Sequence, residues 1–216
     1  MQLPSRPARF QTKSDAAYAE IREQILTGVL VPNSTIDQER LAFEIGYSTT
    51  PLREALRRLE AEGWVLCSAH REMRVSPTSR REIEELYLLL SELDVLAAGI
   101  ACKRLTDDAI HGIREQADGL ARAHPRDGVN SNRLVHRAVY AGSGNQVLTT
   151  ALDQLWDRCD RYWHLLLRHD PDAIRDVSRS HVRVVAALGA RDDRLLRERL
   201  GAHLQMSLER CCTLFV

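Results

Sequence analysis

The residues of this chain best suited to chemistry fall into two groups. The first is the run Tyr47-Ser48-Thr49-Thr50-Pro51-Leu52-Arg53-Glu54-Ala55-Leu56-Arg57-Arg58-Leu59-Glu60-Ala61-Glu62-Gly63. Its pattern predicts a helix, because the hydroxyl residues offer N-caps, proline suits the first turn and Gly63 ends it. Leu52, Leu56 and Leu59 form one apolar stripe, while Arg53 and Arg57, four apart, project together from another face. A short helix led by small hydroxyl side chains and flanked by arginines is shaped to enter a DNA major groove. Taken alone it could equally be an amphipathic surface helix whose arginines face water. The second group is Asn132 and His136, which share one helix face and could grip a single ion. Against that, the chain has eight histidines, and a single histidine on a helix is more often a satisfied core or surface residue than a ligand. Adjacent to neither group is there an HExxH or paired-carboxylate pattern of the kind hydrolytic metal sites use.

The elements around the first group decide its meaning. A basic tail over residues 1–13 precedes a helix from about Ser14 to Thr27, closed by Gly28. Val29–Ile36 is short and extended, Asp37–Ile45 is a second helix, and Gly46 makes the tight turn into Tyr47–Gly63. Two short helices joined through a glycine form a helix-turn-helix. Trp64–Cys67 and Met73–Ser76 then read as two strands with a turn at Ala69–Glu72, which completes a winged helix.

Pro77-Thr78-Ser79 marks a boundary, beyond which every segment carries helical periodicity: Arg80–Lys103, Thr106–His124, Val129–Gly142, Gln146–Arg168, Pro171–Leu188 and Asp192–Phe215. Pro125–Gly128 reads as a loop. The predicted fold is mainly α: an N-terminal winged helix-turn-helix over residues 14–77, then an all-helical antiparallel bundle over 78–216.

Composition narrows the function. With 28% charged and 44% hydrophobic residues and no long apolar run, the chain is expected to be cytoplasmic with no membrane partner. Five cysteines without a CxxC pair argue for reduced thiols rather than a disulfide framework or zinc finger. A formal net charge of zero gives no support for indiscriminate nucleic-acid binding, so any DNA affinity must be local.

Ile21-Arg22-Glu23-Gln24-Ile25-Leu26-Thr27-Gly28, Leu41-Ala42, Ile45-Gly46, Thr50–Leu59 and Gly63 together resemble the N-terminal domain of GntR-family transcription regulators. The remainder is similar to the helical FCD effector domain of that family's FadR-like branch, on Asn132-x-x-x-His136, the turn Gly144-Asn145, His181 ahead of an apolar helix, and His203-Leu204. The resemblance runs from about Ala16 to Met206. It implies a homodimeric, ligand-responsive repressor of a metabolic operon that binds a palindromic operator in double-stranded DNA and takes a small organic acid into the helical domain. It places DNA contacts at Ser48, Thr49, Thr50 and Arg53 and at His70 in the wing, with Arg57 or Arg40 on phosphates. It also implies one divalent metal held by Asn132, His136, His181 and His203, a histidine-rich set that suits zinc or nickel.

Three departures from the family pattern bear on function. Many relatives carry arginine where this chain has Thr49, so base preference there should differ. Metal-binding relatives usually carry aspartate at the position of Asn132, and the neutral amide gives up a charge. Relatives often place an inward arginine near Leu90, where this chain is wholly apolar. Arg133, Arg158 and Arg161 are the alternatives for holding an effector carboxylate, with Tyr162, Trp156 and Trp163 able to wall a pocket or simply fill the core. The competing function is a metal-dependent hydrolase using His136, His181 and His203, which would leave the winged helix without a task.

Overall fold

The structure is a computed structural model describing residues 12–68, 72–120, 122 and 125–215. It divides into two compact units, one ending at Pro77 and the other beginning at Thr78.

In the first unit, α1 (Lys13–Leu26) starts from a capping box in which Thr12 and Asp15 satisfy each other's backbone N–H groups. It buries Ala17, Ile21, Ile25 and Leu26. After α2 (Gln38–Glu44, capped by Asp37), Gly46 adopts φ 75° and lets the Tyr47 N–H reach back to the Ala42 carbonyl at 2.9 Å. The third helix, α3 (Thr49–Ala61), lays Leu52, Ala55, Leu56 and Leu59 against α1, each leucine contributing ~1.5–3 kcal/mol by leaving water. On its outer side, Arg58 binds Asp15 at 2.7 Å and stacks over Tyr18, so this arginine knits α1 to α3.

Three strands close the unit: β1 (Thr35–Ile36), β2 (Val65–Cys67) and β3 (Met73–Val75), in the order β1-β3-β2 and all antiparallel. The wing therefore has one strand more than the two predicted. The end of the extended segment before α2 pairs with β3, Ile36 opposite Met73, because Ile36 can bury its side chain only in that register.

Helices α4 (Arg80–Cys102), α5 (Asp107–Leu120), α6 (Pro125–Ala141), α7 (Gln146–His169), α8 (Ala173–Gly189) and α9 (Asp193–Cys212) make the second unit, ending in a 3-10 turn at Thr213–Phe215. The long α4 packs on α9, α7 and α6, and α8 lies between α5 and α9. Side-chain oxygens of Ser79, Asn145 and Asp192 cap α4, α7 and α9. Pro125–Gly128 is not a loop but the first turn of α6. Proline has no N–H to leave unsatisfied there, so a residue that reads as a breaker can start a helix.

No helix among the described residues is long and apolar enough to cross a membrane. The apolar run on α4 also sorts differently from its composition: Leu86, Leu90 and Ala97 are buried, Leu89 and Leu96 are half exposed, and Asp94 takes the inward position between Leu90 and Ala98.

Candidate functional site

In the first unit, the start of α3 presents polar groups to solvent. Ser48 is the N-cap by backbone geometry, yet its side chain makes no capping hydrogen bond. The expectation that a hydroxyl caps this helix is not met. Ser48, Thr49 and Thr50 are all exposed, so hydroxyls and first-turn N–H groups remain for an outside acceptor, and a helix N-terminus favours an anionic one. Arg53 and Arg57 are exposed one and two turns further on. Arg53 donates to Gln38 on α2 at 3.2 Å, and Arg57 has no ion-pair partner among the described residues. Arg40 is exposed and bonded to Glu44 on its own helix at 2.8 Å. Behind this face, Asp37, Glu39, Glu60 and Glu72 line a groove with Arg53 and Arg57. The first turn of α3, by contrast, carries no acidic residue and is the more favourable edge for an anion. His70, expected in the wing, lies outside the described residues.

The second unit gathers its histidines inside. His136 on α6, His181 on α8 and His203 on α9 are each about 2–3% exposed, with ligand nitrogens all within 4.8 Å of one another. Each Nδ1 faces a protein oxygen: His136 meets Asp94 Oδ2 at 3.0 Å, His181 the Val177 carbonyl at 3.0 Å, and His203 the Ser180 hydroxyl at 2.6 Å. A carbonyl or carboxylate can only accept, so His136 and His181 donate from Nδ1. The Ser180 hydroxyl donates to the Val177 carbonyl at 2.8 Å, which leaves its oxygen to accept from His203 Nδ1–H. All three Nε2 atoms are then unprotonated in the neutral rings. His136 Nε2 and His203 Nε2 lie 3.0 Å apart, and His181 Nε2 has no hydrogen-bond partner among the described residues.

Lone pairs that converge in a dry site repel unless a cation lies among them, and ring orientation by a hydrogen-bonded Nδ1–H is how metal-binding imidazoles are held. Protonation of His181 and His203 is disfavoured. Burial, and then the neighbouring His136, pulls His181 down to about 3 despite the Val177 carbonyl. Burial and the other two imidazoles push His203 well below the ordinary histidine range. The group could hold a metal ion. The three nitrogens, within 4.8 Å of one another, would have to draw together for one ion at about 2.0–2.1 Å to bond all of them.

Asn132, one turn before His136, is buried at 3% exposure and its Oδ1 has no hydrogen-bond partner among the described residues. An unsatisfied buried amide oxygen one helical turn from His136 is a donor available to a cation. The cavity against His136 and His181, lined also by Asp94, Val135, Val139, Val184 and Leu200, is about 10 Å³, enough for one ion or water and too small for an organic acid.

The residues expected to hold an effector are engaged with internal partners. Arg133 meets Asp153 at 2.9 Å, Asp160 at 3.6 Å and Asp157 at 3.8 Å, and also bonds the Tyr140 hydroxyl. Arg158 pairs with Glu82, which also accepts from the Tyr162 hydroxyl at 2.5 Å. Arg161 is buried, and desolvation lowers its pKa. Trp156 is fully buried, its ring 4.1 Å from that of His136, and Trp163 donates to the Tyr87 hydroxyl at 3.0 Å, so both are core.

Sequence reasoning missed Asp94, Ser180 and the Val177 carbonyl. Asp94 did leave a signal, as the one carboxylate on the buried stripe Leu86-Leu90-Asp94-Ala97-Ala101 of α4. The hydrogen bonds of Ser180 and Val177 left none.

Residues 13–75 match the family model for bacterial regulatory proteins of the gntR family, and residues 85–206 match the model for the FCD domain. The chain is 27% identical to the HTH-type transcriptional regulator McbR of Escherichia coli K12 over 88% of each chain. It is 24% identical to the HTH-type transcriptional repressor GlaR of the same organism, over 87% of this chain and 90% of that one. The solved structure of E. coli McbR superposes with a TM-score of 0.81 at 25% identity, covering 95% of this chain and 99% of that one. A GntR regulator structure from Rhodococcus sp. RHA1 shares the fold, with a TM-score of 0.75 at 15% identity over 94% and 99% of the two chains.

Proposed function

We propose, for a chain that belongs to the GntR family of bacterial transcription regulators and carries an FCD effector domain, that it acts in the cytoplasm as a homodimeric repressor of a metabolic operon. The winged helix binds one half of a palindromic operator, and a small organic acid bound in the helical unit weakens that grip. The observation that carries the DNA half is the uncapped, exposed first turn of α3, where Ser48, Thr49, Thr50 and Arg53 offer donors to DNA. Thr49 and Arg53 reach base edges, while Ser48, Thr50, Arg57 and Arg40 contact phosphates. His70, outside the described residues, is a further proposed DNA contact. The metabolic role of the hydrolase alternative is set aside, since both matched families and the relatives are regulators.

In the helical unit, one divalent ion, zinc or nickel, is held by His136, His181 and His203 with the Asn132 amide oxygen as a fourth donor. Such an ion supplies positive charge in an otherwise dry interior. The effector carboxylate is taken up by exchange, replacing Glu82 at Arg158 and Tyr162, or an aspartate at Arg133. Each exchange puts the ligand's carboxylate on the arginine and frees the protein's own carboxylate to turn to solvent. Because Glu82 stands in the first turn of α4, its release is a change at the start of the helical unit that effector binding can select.

Selection of DNA from a random pool by the purified full chain, followed by anisotropy titration, tests this reading. The expected result is enrichment of a palindrome whose affinity falls when one of a panel of small carboxylic acids is added. Failure to enrich any inverted repeat overturns it.

A further inference from the structure

Asp94 is fully buried on α4, outside the family's ligand pattern, and its Oδ2 lies 3.0 Å from His136 Nδ1. Its other oxygen, Oδ1, has no hydrogen-bond partner among the described residues. A carboxylate is kept in an apolar stripe at a cost unless something nearby is positive. The oxygens that fix the other two rings, the Ser180 hydroxyl and the Val177 carbonyl, are neutral. Asp94 is thus the one carboxylate in hydrogen-bond contact with the three imidazoles among the described residues, and it stands in a centre whose fourth donor, Asn132, is an uncharged amide.

We propose that Asp94 is the positioning residue of the histidine centre, holding His136 in the Nδ1–H tautomer and supplying, through that imidazole, the negative charge that Asn132 does not carry. The inference rests on the metal-binding reading given above and adds to it a division of labour. Asn132 lends an oxygen without charge, and Asp94 lends charge without being a ligand. A carboxylate accepting from Nδ1–H makes the opposite nitrogen more basic and turns it toward the ion. His136 is the ring that can use this, because its Nε2 already lies 3.0 Å from His203 Nε2 and its ring 4.8 Å, centroid to centroid, from that of His181.

Two substitutions separate charge from geometry. Asp94→Asn keeps an acceptor but removes the charge, and Asp94→Leu removes both while matching the apolar stripe around it. Zinc affinity of the full chain, measured by competition with a chromogenic chelator, is expected to fall about 10- to 100-fold in each. Asn132→Asp is expected to restore most of that loss in the Asp94→Asn background and to add much less to the native chain. A purely structural Asp94 would not produce that rescue. Native zinc affinity in Asp94→Asn, or an equal gain from Asn132→Asp in both backgrounds, overturns the proposal.

Imidazole nitrogen NMR of the metal-free native chain is the arm that needs neither a variant nor an ion. His136 protonated at Nδ1 is the expected result, and His136 protonated at Nε2 overturns the role of Asp94 even if zinc binds. Absence of zinc uptake by the native chain, with Nδ1–H present, instead overturns the metal reading and with it the charge-supply half of the proposal.

Discussion

The exposed start of α3 and the buried histidine centre treat polar groups in opposite ways. At α3, hydroxyls, N–H groups and guanidinium ions are left in water, one of them, Ser48, declining even the cap it could make. In the centre, every Nδ1 is satisfied by the protein and every Nε2 is turned toward the others. Water makes the first arrangement cheap, and its groups can change partners when DNA arrives. Burial makes the second costly unless an ion completes it. The first region is therefore open to exchange, and the second could hold one ion.

The contrast is sharpest in what truncation does. His136→Ala leaves the buried Asp94 carboxylate without its hydrogen-bond donor, and orphaning a buried charged acceptor costs about 1–3 kcal/mol or more. The helical unit should melt several degrees lower by differential scanning calorimetry. On α3 the inward and outward faces should split: Leu56→Ala is expected to cost about 2–5 kcal/mol of stability in the first unit. Arg57→Ala should change stability by no more than about 0.5 kcal/mol while reducing the salt dependence of operator binding by about one counterion. Chemical denaturation and anisotropy at several salt concentrations measure the two. Equal stability losses would mean that the outer face of α3 is structural after all.

A smaller effect tests base reading. Thr49→Arg can form a bidentate contact with guanine worth about 1–3 kcal/mol of discrimination, so selected operators should change at one position per half-site and nowhere else. An unchanged preference would remove Thr49 from the base-reading set.

Acid tests the buried centre. The folded His181 is held near 3 and His203 also lies below the ordinary value near 6.5. Between those limits the unfolded chain binds more protons than the folded one. Stability of the metal-free helical unit should then be lost as pH falls below about 6.5, by up to about 1.4 kcal/mol per pH unit for each histidine that resists protonation. His181→Phe should flatten that slope, which urea titrations at pH 7, 6 and 5 can read.

These two regions also differ in how far the chain announces them. The helix-turn-helix was legible because its determinants are local: the stripe of Leu52, Leu56 and Leu59, and the glycine turn at Gly46 that sets α2 against α3. The third strand was not, since two residues pair with a partner far along the chain, Thr35 with Arg74. Pro125–Gly128 misled because proline and glycine read as a loop in one dimension, whereas an N-terminal helical turn tolerates both. The histidine set was visible only through resemblance. Its contacts join residues 42 and 67 positions apart, and periodicity carries no information over such distances. Asp94 shows the limit most clearly: a charge on an apolar stripe was there to be seen, but not the imidazole it meets.

The most direct test of the histidine centre is zinc stoichiometry of the purified full chain after dialysis against a metal-supplemented buffer, measured by elemental analysis beside His203→Ala. One ion per native chain, lost in the variant, is the expected result. A native chain that retains no zinc or nickel, or a variant that retains as much as the native chain, would contradict it.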